Sequence, residues 1–175
     1  SFHQHNTKSR IPKIIEFLKS RKSVALITDA GLPGISDPGE ELVSAIKKEN
    51  FSVICIPGPC AATTALVISG LPTKRFCFEG FLPIKGKERK KLIEEISKEK
   101  RTSIIYESPQ RLLKLLHELS DFCGEERPLQ VFRELTKRYE QNIGPTIKSA
   151  INHFTSTKPI GECTIILGGS QEFLK

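Results

Sequence analysis

The 175-residue sequence has no apolar run near the roughly 20 residues that a membrane-crossing helix requires, so no such helix organises it. Ser1–Arg10 is polar and carries no secretory-signal pattern. With no Met at its start and a helical pattern almost at once, the chain is expected to be an internal fragment. The five cysteines, Cys55, Cys60, Cys77, Cys123 and Cys163, include no Cys-x-x-Cys, and no His stands at a zinc-finger spacing from them. Their odd number, with all but Cys60 in apolar runs, reads as reduced thiols packed as small hydrophobes in a cytoplasmic protein. Gly-x-Gly-x-x-Gly, a P-loop with its Lys, a Ser nucleophile elbow and a catalytic Cys setting are all missing. Asp29 and Asp37 have no third ligand nearby and Asp37 suits a helix cap, so no metal site is expected.

What is present is an ordinary globular balance, 38% hydrophobic and 27% charged, with a net charge of +7. Lys85, Lys87, Arg89, Lys90, Lys91, Lys98, Lys100 and Arg101 crowd one stretch against Glu88, Glu94, Glu95 and Glu99. That stretch reads either as a solvated helix face or as a surface for RNA phosphates, with Arg89, Lys90 and Lys91 as its contacts.

Ile11, Ile14, Ile15 and Leu18 have the spacing of an amphipathic helix, with Pro12 expected in its first turn. Val24–Ile27 and Val53–Ile56 are short unbroken apolar runs, expected as strands of a parallel sheet. Between them, Asp37-Pro38-Gly39-Glu40 is a helix start with Asp37 as cap and Pro38 in the first helical position. After Ala61-Ala62 opens a third helix, Gly70-Leu71-Pro72-Thr73 reads as a linker. The pattern then runs through Phe76–Phe81 (strand), Gly86–Lys100 (helix), Thr102–Tyr106 (strand) and Pro109–Cys123 (helix stopped by Gly124). Leu129–Arg133, Gln141–Gly144 and Cys163–Leu167 read as strands, with a helix carrying Ile147, Ala150, Ile151 and Phe154 before the last. Two α/β domains are expected, residues 1–72 and 73–175.

In open α/β sheets ligands bind beyond the carboxyl ends of strands, where the two most unusual segments lie, Thr28–Gly39 and Pro57–Ala62. Rich in Gly, Pro and Ala, they read as tight strand-to-helix turns or as a cradle whose backbone groups hold a ligand.

Thr28-Asp29-Ala30-Gly31-Leu32-Pro33-Gly34-Ile35-Ser36-Asp37-Pro38-Gly39 resembles the Ser-Asp-Ala-Gly-x-Pro-x-x-x-Asp-Pro-Gly segment of the tetrapyrrole-methylase superfamily. Further strings follow in order: His3-Gln4-His5-Asn6, Pro57–Ala62, Gly70-Leu71-Pro72, Arg75–Pro83, Tyr106-Glu107-Ser108-Pro109 with Arg111, Arg133-Glu134-Leu135-Thr136-Lys137 and Gly161-Glu162. Together they are similar to the superfamily's branch of ribosomal RNA cytidine 2′-O-methyltransferases, across nearly the whole chain. The resemblance implies a two-domain fold with an open, mostly parallel first sheet, a mixed second sheet and an S-adenosyl-L-methionine cleft between them. It places the cofactor against Asp29, Ala30, Gly31, Pro33, Ile35, Ser36, Pro57, Gly58, Ala61 and Ala62, with Phe81 and Leu82 entering from the second domain. The implied acceptor is a ribose hydroxyl of small-subunit rRNA or the 30S subunit, and the implied assembly is a homodimer.

His5, Glu107 and Glu134 are the titratable candidates for taking the hydroxyl proton, His5 foremost, while Arg111, Arg133 and Lys137 are candidates for gripping phosphate. Leu32 and Gln110 depart from the branch's usual Thr and His. A preceding segment of that branch, with its first strand and an Ala-Glu-Asp-Thr-Arg motif, is expected before His3. Two other functions remain open: methylation of a tetrapyrrole precursor, and a non-catalytic RNA-binding module without donor affinity.

Overall fold

The computed structural model describes residues 1–3 and 5–170, so Gln4 of the His3–Asn6 string lies outside the described residues. The chain divides into two compact units, Ser1–Cys60 and Ala61–Lys175, not at residues 72–73. The reason is the short helix α3 (Ala61–Ile68), whose Ala62, Ala65 and Leu66 are buried and which packs on the sheet of the second unit. Side chains this small let a helix lie close against strands, and that burial outweighs the linker-like composition that follows.

The first unit holds α1 (Thr7–Lys19) and α2 (Glu40–Lys48), which pack together, with Lys19 paired to Glu49 at 2.9 Å. α1 starts earlier than its apolar spacing suggests because the Asn6 carbonyl accepts the Ser9 and Arg10 amides. Pro12 therefore lies inside the helix rather than in its first turn, at the loss of one backbone hydrogen bond. α2 begins after Gly39, not Asp37; the Asp37 carboxylate instead accepts the Thr28 hydroxyl at 3.1 Å and closes the Thr28–Gly39 loop.

Val24–Ile27 and Val53–Ile56 belong to no strand, and Ile27, Ile54 and Ile56 are 85%, 83% and 80% exposed. A run that is apolar on both faces becomes a sheet strand only with paired neighbours and covering layers. Among the described residues nothing pairs with either run, so the expected first sheet is not formed.

The second unit is built on a five-stranded sheet of β1 (Phe76–Phe81), β2 (Thr102–Glu107), β3 (Leu129–Arg133), β4 (Gln141–Ile143) and β5 (Cys163–Leu167). The spatial order is β1-β2-β5-β3-β4, with β1 and β2 parallel and the other pairs antiparallel. Between strands run α4 (Lys87–Lys98), α5 (Pro109–Cys123) and α6 (Ile147–Ser156). α5 starts with Pro109 after an extended Ser108, and Gly124 at φ 83° ends it, a backbone conformation that favours glycine.

Leu112, Leu115, Leu116 and Leu119 recur at i, i+3, i+4 and i+7 and are fully buried. At about 1.5–3 kcal/mol for each buried leucine, this stripe alone drives the docking of α5. It joins Ile93, Ile96, Ile147, Ala150 and Phe154 over Ile105, Leu129, Val131, Ile165 and Leu167 of the sheet. Strand side chains alternate between faces, so Ile104, Tyr106, Phe132 and Ile166 lie on the opposite face, where α3 packs on β2 and β5. Arg127, 4% exposed, donates to the carbonyls of Gly168, Ser97 and Glu99 at 2.7, 3.3 and 3.3 Å and so ties the sheet's end to the close of α4. Among the described residues no helix is long and apolar enough to cross a membrane.

Candidate functional site

In the first unit the two Gly/Pro-rich loops are neighbours: a methyl group at Gly58 would stand 3.9 Å from Leu32 Cδ1. Gly31 and Gly34 adopt φ of 74° and 85°, and a Cβ at either would enter open space. Ser36 also takes a positive φ, 57°. Asp29, Ala30, Gly31, Ile35 and Ser36 are exposed, as are Pro57 and Gly58, and Pro33 is half-buried. Backbone amides and carbonyls are thus reachable on a surface with little side-chain bulk, as a cradle for a flat ligand needs. At the start of the same unit, His3-x-His-Asn6 is a helix entry: Asn6 Oδ1 accepts the His3 amide at 2.9 Å and the His3 carbonyl accepts the Thr7 hydroxyl at 3.1 Å. His5 is exposed, its ring 6.2 Å from that of His3.

In the second unit Tyr106 joins separate pieces. Its hydroxyl oxygen accepts the Ala62 amide at 2.9 Å, and its ring meets those of Phe78 and Phe81 edge-on at 5.1 and 5.6 Å. Phe81 is 54% exposed, whereas Leu82 is 2% exposed and its side chain belongs to the core. Strand alternation explains the split, and it corrects the expectation for Leu82: only its backbone can face a ligand.

Glu107, one residue on from Tyr106, is fully buried. Its Oε1 accepts the Ser108 amide at 2.8 Å and Arg111 Nε at 2.7 Å, and Oε2 lies 3.5 Å from a guanidinium nitrogen of Arg89 without hydrogen-bond geometry. Arg89 itself is 2% exposed and donates to Glu118 Oε2 at 2.6 and 2.8 Å and to the Pro83 carbonyl at 2.9 Å. Buried to 0% exposure and enclosed by Arg111, Arg89 and the Ser108 amide, this carboxylate is out of reach of a substrate hydroxyl, which removes Glu107 from the candidate bases. Arg89, expected on the RNA surface, is an internal strut, and Arg111 is committed to Glu107. The signal for Arg89 was its spacing, since Arg89, Ile93 and Ile96 share one helical face.

The Arg133–Lys137 and Gly161–Glu162 strings meet. The Glu134 amide donates to the Glu162 carbonyl and Glu134 Oε1 accepts the Glu162 amide, both at 2.9 Å. Lys137 bridges Glu134 and Glu162 at 3.1 and 3.0 Å. Gly161, at φ 85°, lets the Glu134 carboxyl pass where a side chain would collide. The Glu162 amide, followed by the Lys137 ammonium, holds the Glu134 carboxyl below the usual carboxylate range, so Glu134 is a structural anion rather than a base. Arg133 donates to Gln141, Ile160 and Tyr139 at 2.9 Å each, stapling the loop, and Lys137 is neutralised by its two carboxylates.

A family model described as tetrapyrrole (corrin/porphyrin) methylases matches residues 2–150. The chain belongs to the tetrapyrrole methylase family. Its similar relatives include proteins named ribosomal RNA small subunit methyltransferase I. The one from Synechocystis sp. is 47% identical over 98% of this chain and 62% of its own length. The one from Thermotoga maritima is 42% identical over 98% of this chain and 76% of its own length, and the one from Bacillus subtilis is 44% identical over 97% and 58%. The chain thus spans between about half and three quarters of the curated relatives it matches. Among solved structures, a cobalt precorrin-4 methyltransferase superposes with a TM-score of 0.66 at 17% identity, over 92% of this chain and 70% of that one. A uroporphyrin-III C-methyltransferase from Thermus thermophilus, complexed with S-adenyl homocysteine, gives 0.62 at 17% over 93% and 73%. These two share the fold of the tetrapyrrole methylases with this chain.

Within this tetrapyrrole methylase chain the basic stretch splits into two sets. Arg101 grips Glu99 through Nε and Nη2 at 2.9 and 2.8 Å, and Lys98 pairs with Glu94 at 2.7 Å. Lys90 and Lys91 are exposed on α4, Lys91 only loosely approached by Glu95 at 3.7 Å. Of the three α4 residues expected on an RNA surface, these two lysines alone face solvent. The role of the Tyr106 hydroxyl is not legible in the sequence, because a tyrosine in an apolar strand carries no sign of which distant amide it will meet.

Proposed function

We propose that the protein of which this chain is part is an S-adenosyl-L-methionine-dependent enzyme that methylates the ribose 2′-hydroxyl of a cytidine in small-subunit ribosomal RNA. The carrying observation is identity of 40% or more, along nearly the whole chain, to several relatives named for ribosomal RNA small subunit methylation. The loops fit the donor: Gly31 and Gly34 leave open space at positive φ, and Gly58 keeps the neighbouring turn bare beside Leu32. Asp29, Ala30, Gly31, Pro33, Ile35, Ser36, Pro57, Gly58, Ala61, Ala62 and Phe81 would hold it, with Leu82 contributing backbone only. When bound, the donor supplies an activated methyl group open to in-line displacement without a metal.

The chain's own contribution is then positioning and exclusion of water, which carry large effective molarities. With Glu107 and Glu134 committed to cations and amides, His5 is the group assigned to take the hydroxyl proton as the methyl is transferred. Lys90 and Lys91 contribute phosphate attraction from α4. A homodimer acting on the 30S subunit in the cytoplasm belongs to the same proposal and is supported by family resemblance.

The test incubates the full-length protein with labelled donor and small ribosomal subunits and maps the label. Label on one cytidine ribose is expected; label on a tetrapyrrole precursor instead of rRNA reverses the acceptor. Absence of donor affinity by calorimetry rejects both enzyme readings and leaves an RNA-binding module.

A further inference from the structure

We propose that Tyr106 is a positioning residue of the donor site, acting through Ala62 and Phe81; the assignment rests on the methyltransferase reading above. The first amides of a helix have no partner within the helix. Tyr106 reaches from β2 to place a phenol oxygen 2.9 Å from the Ala62 amide, capping α3 from a strand 44 residues away. The same ring holds Phe78 and Phe81 edge-on, at 77° and 60°, the geometry in which a ring's positive rim meets a neighbour's negative face.

Phe81 is more than half exposed, and the edge-on contact with the Tyr106 ring gives this surface aromatic a fixed orientation. Tyr106 is itself a rigid post. It sits on a central part of the sheet between paired strands, and its successor Glu107 is locked by Arg89 and Arg111. One side chain therefore couples the helix that begins at the Pro57–Ala62 turn to the aromatic at the end of β1, both within the donor-binding set. Preorganised contacts of this kind are felt in ligand affinity, because a loosened site must be reordered on binding.

The experiment compares full-length wild type with Tyr106→Phe, which keeps the ring and removes the acceptor, and Tyr106→Leu, which removes both. Donor affinity is read by calorimetry, turnover on small ribosomal subunits at saturating donor, and melting temperature alongside. Tyr106→Phe is expected to bind donor about fivefold more weakly, the loss of one hydrogen bond, with turnover at saturation within about twofold. Tyr106→Leu should lose roughly a further fivefold through the ring contacts. Wild-type donor affinity matched by Tyr106→Phe, with only the melting temperature lowered, makes the hydroxyl merely structural and overturns the assignment alone. A wild type with no donor affinity overturns the methyltransferase reading and the assignment with it.

Discussion

Replacing Arg89 by leucine separates an internal strut from an RNA contact. Arg89 is 2% exposed, and its guanidinium serves Glu118, the Pro83 carbonyl and the fully buried Glu107. Leucine fills much of the volume but leaves Glu107 with Arg111 as its one remaining cation and strips the Pro83 carbonyl of a donor. Breaking a buried ion pair from one side costs about 3–5 kcal/mol, and an orphaned carbonyl about 1–3 kcal/mol on its own scale. Because these losses overlap, the total should be about 4 kcal/mol, a large part of the roughly 5–15 kcal/mol that holds a domain folded. In a thermal melt that is a fall on the order of 10 °C. Lys90→Leu, one position along on the exposed side of α4, should move stability by no more than about 0.5 kcal/mol. RNA binding across a salt series completes the comparison. If Arg89→Leu melts like wild type and instead flattens the salt dependence as a lost phosphate contact does, the burial argument is wrong and Arg89 belongs to the RNA surface.

Other predictions concern separate parts of the molecule. Lys90→Ala with Lys91→Ala should lower the slope of log affinity against log salt by roughly 0.7 for each lysine, and an unchanged slope in filter binding removes α4 from the RNA surface. Asp29→Ala should weaken donor binding in calorimetry more than RNA binding; equal losses count against its place in the cradle. The Arg101 side chain and amide hold the Glu99 carboxylate down to about 2. A depressed folded value means this stabilisation is complete above the ordinary 4.5 and is lost as pH falls from there towards about 2. Arg101→Leu should raise the Glu99 midpoint in carboxyl carbon-13 NMR, and an unmoved midpoint would sink the pairing. Gly161→Ala sets a side chain at φ 85° against the Glu134 carboxyl, and should cost at least about 1–2 kcal/mol in denaturant unfolding.

The second unit was almost wholly legible beforehand. Pro109–Cys123 and Leu129–Arg133 match their expected bounds because local patterning and packing agree there: a four-leucine stripe, a proline start, a glycine stop. The first unit was legible as helices but not as a sheet. Val24–Ile27 and Val53–Ile56 have strand-like composition, yet a strand exists only when another supplies its hydrogen bonds, which composition cannot report.

The same division runs through the candidate site. Glycines, prolines and small residues in Thr28–Gly39 and Pro57–Ala62 marked a bare, approachable backbone from the sequence alone, since those properties belong to the residue types. The charges were different, because a charged side chain is defined by what lies within about 4 Å of it. In sequence Arg89 and Lys90 are adjacent cations of like charge, told apart only by the helical spacing that aligns Arg89 with Ile93 and Ile96. One helical step of about 100° turns the first into the core beside Glu107 and leaves the second in water. Likewise nothing near Tyr106 in the chain names Ala62; only the packing of α3 across β2 and β5 brings that amide to the phenol oxygen. Residue types set which backbone can be approached, and tertiary structure decides which charges and hydroxyls remain to do the approaching.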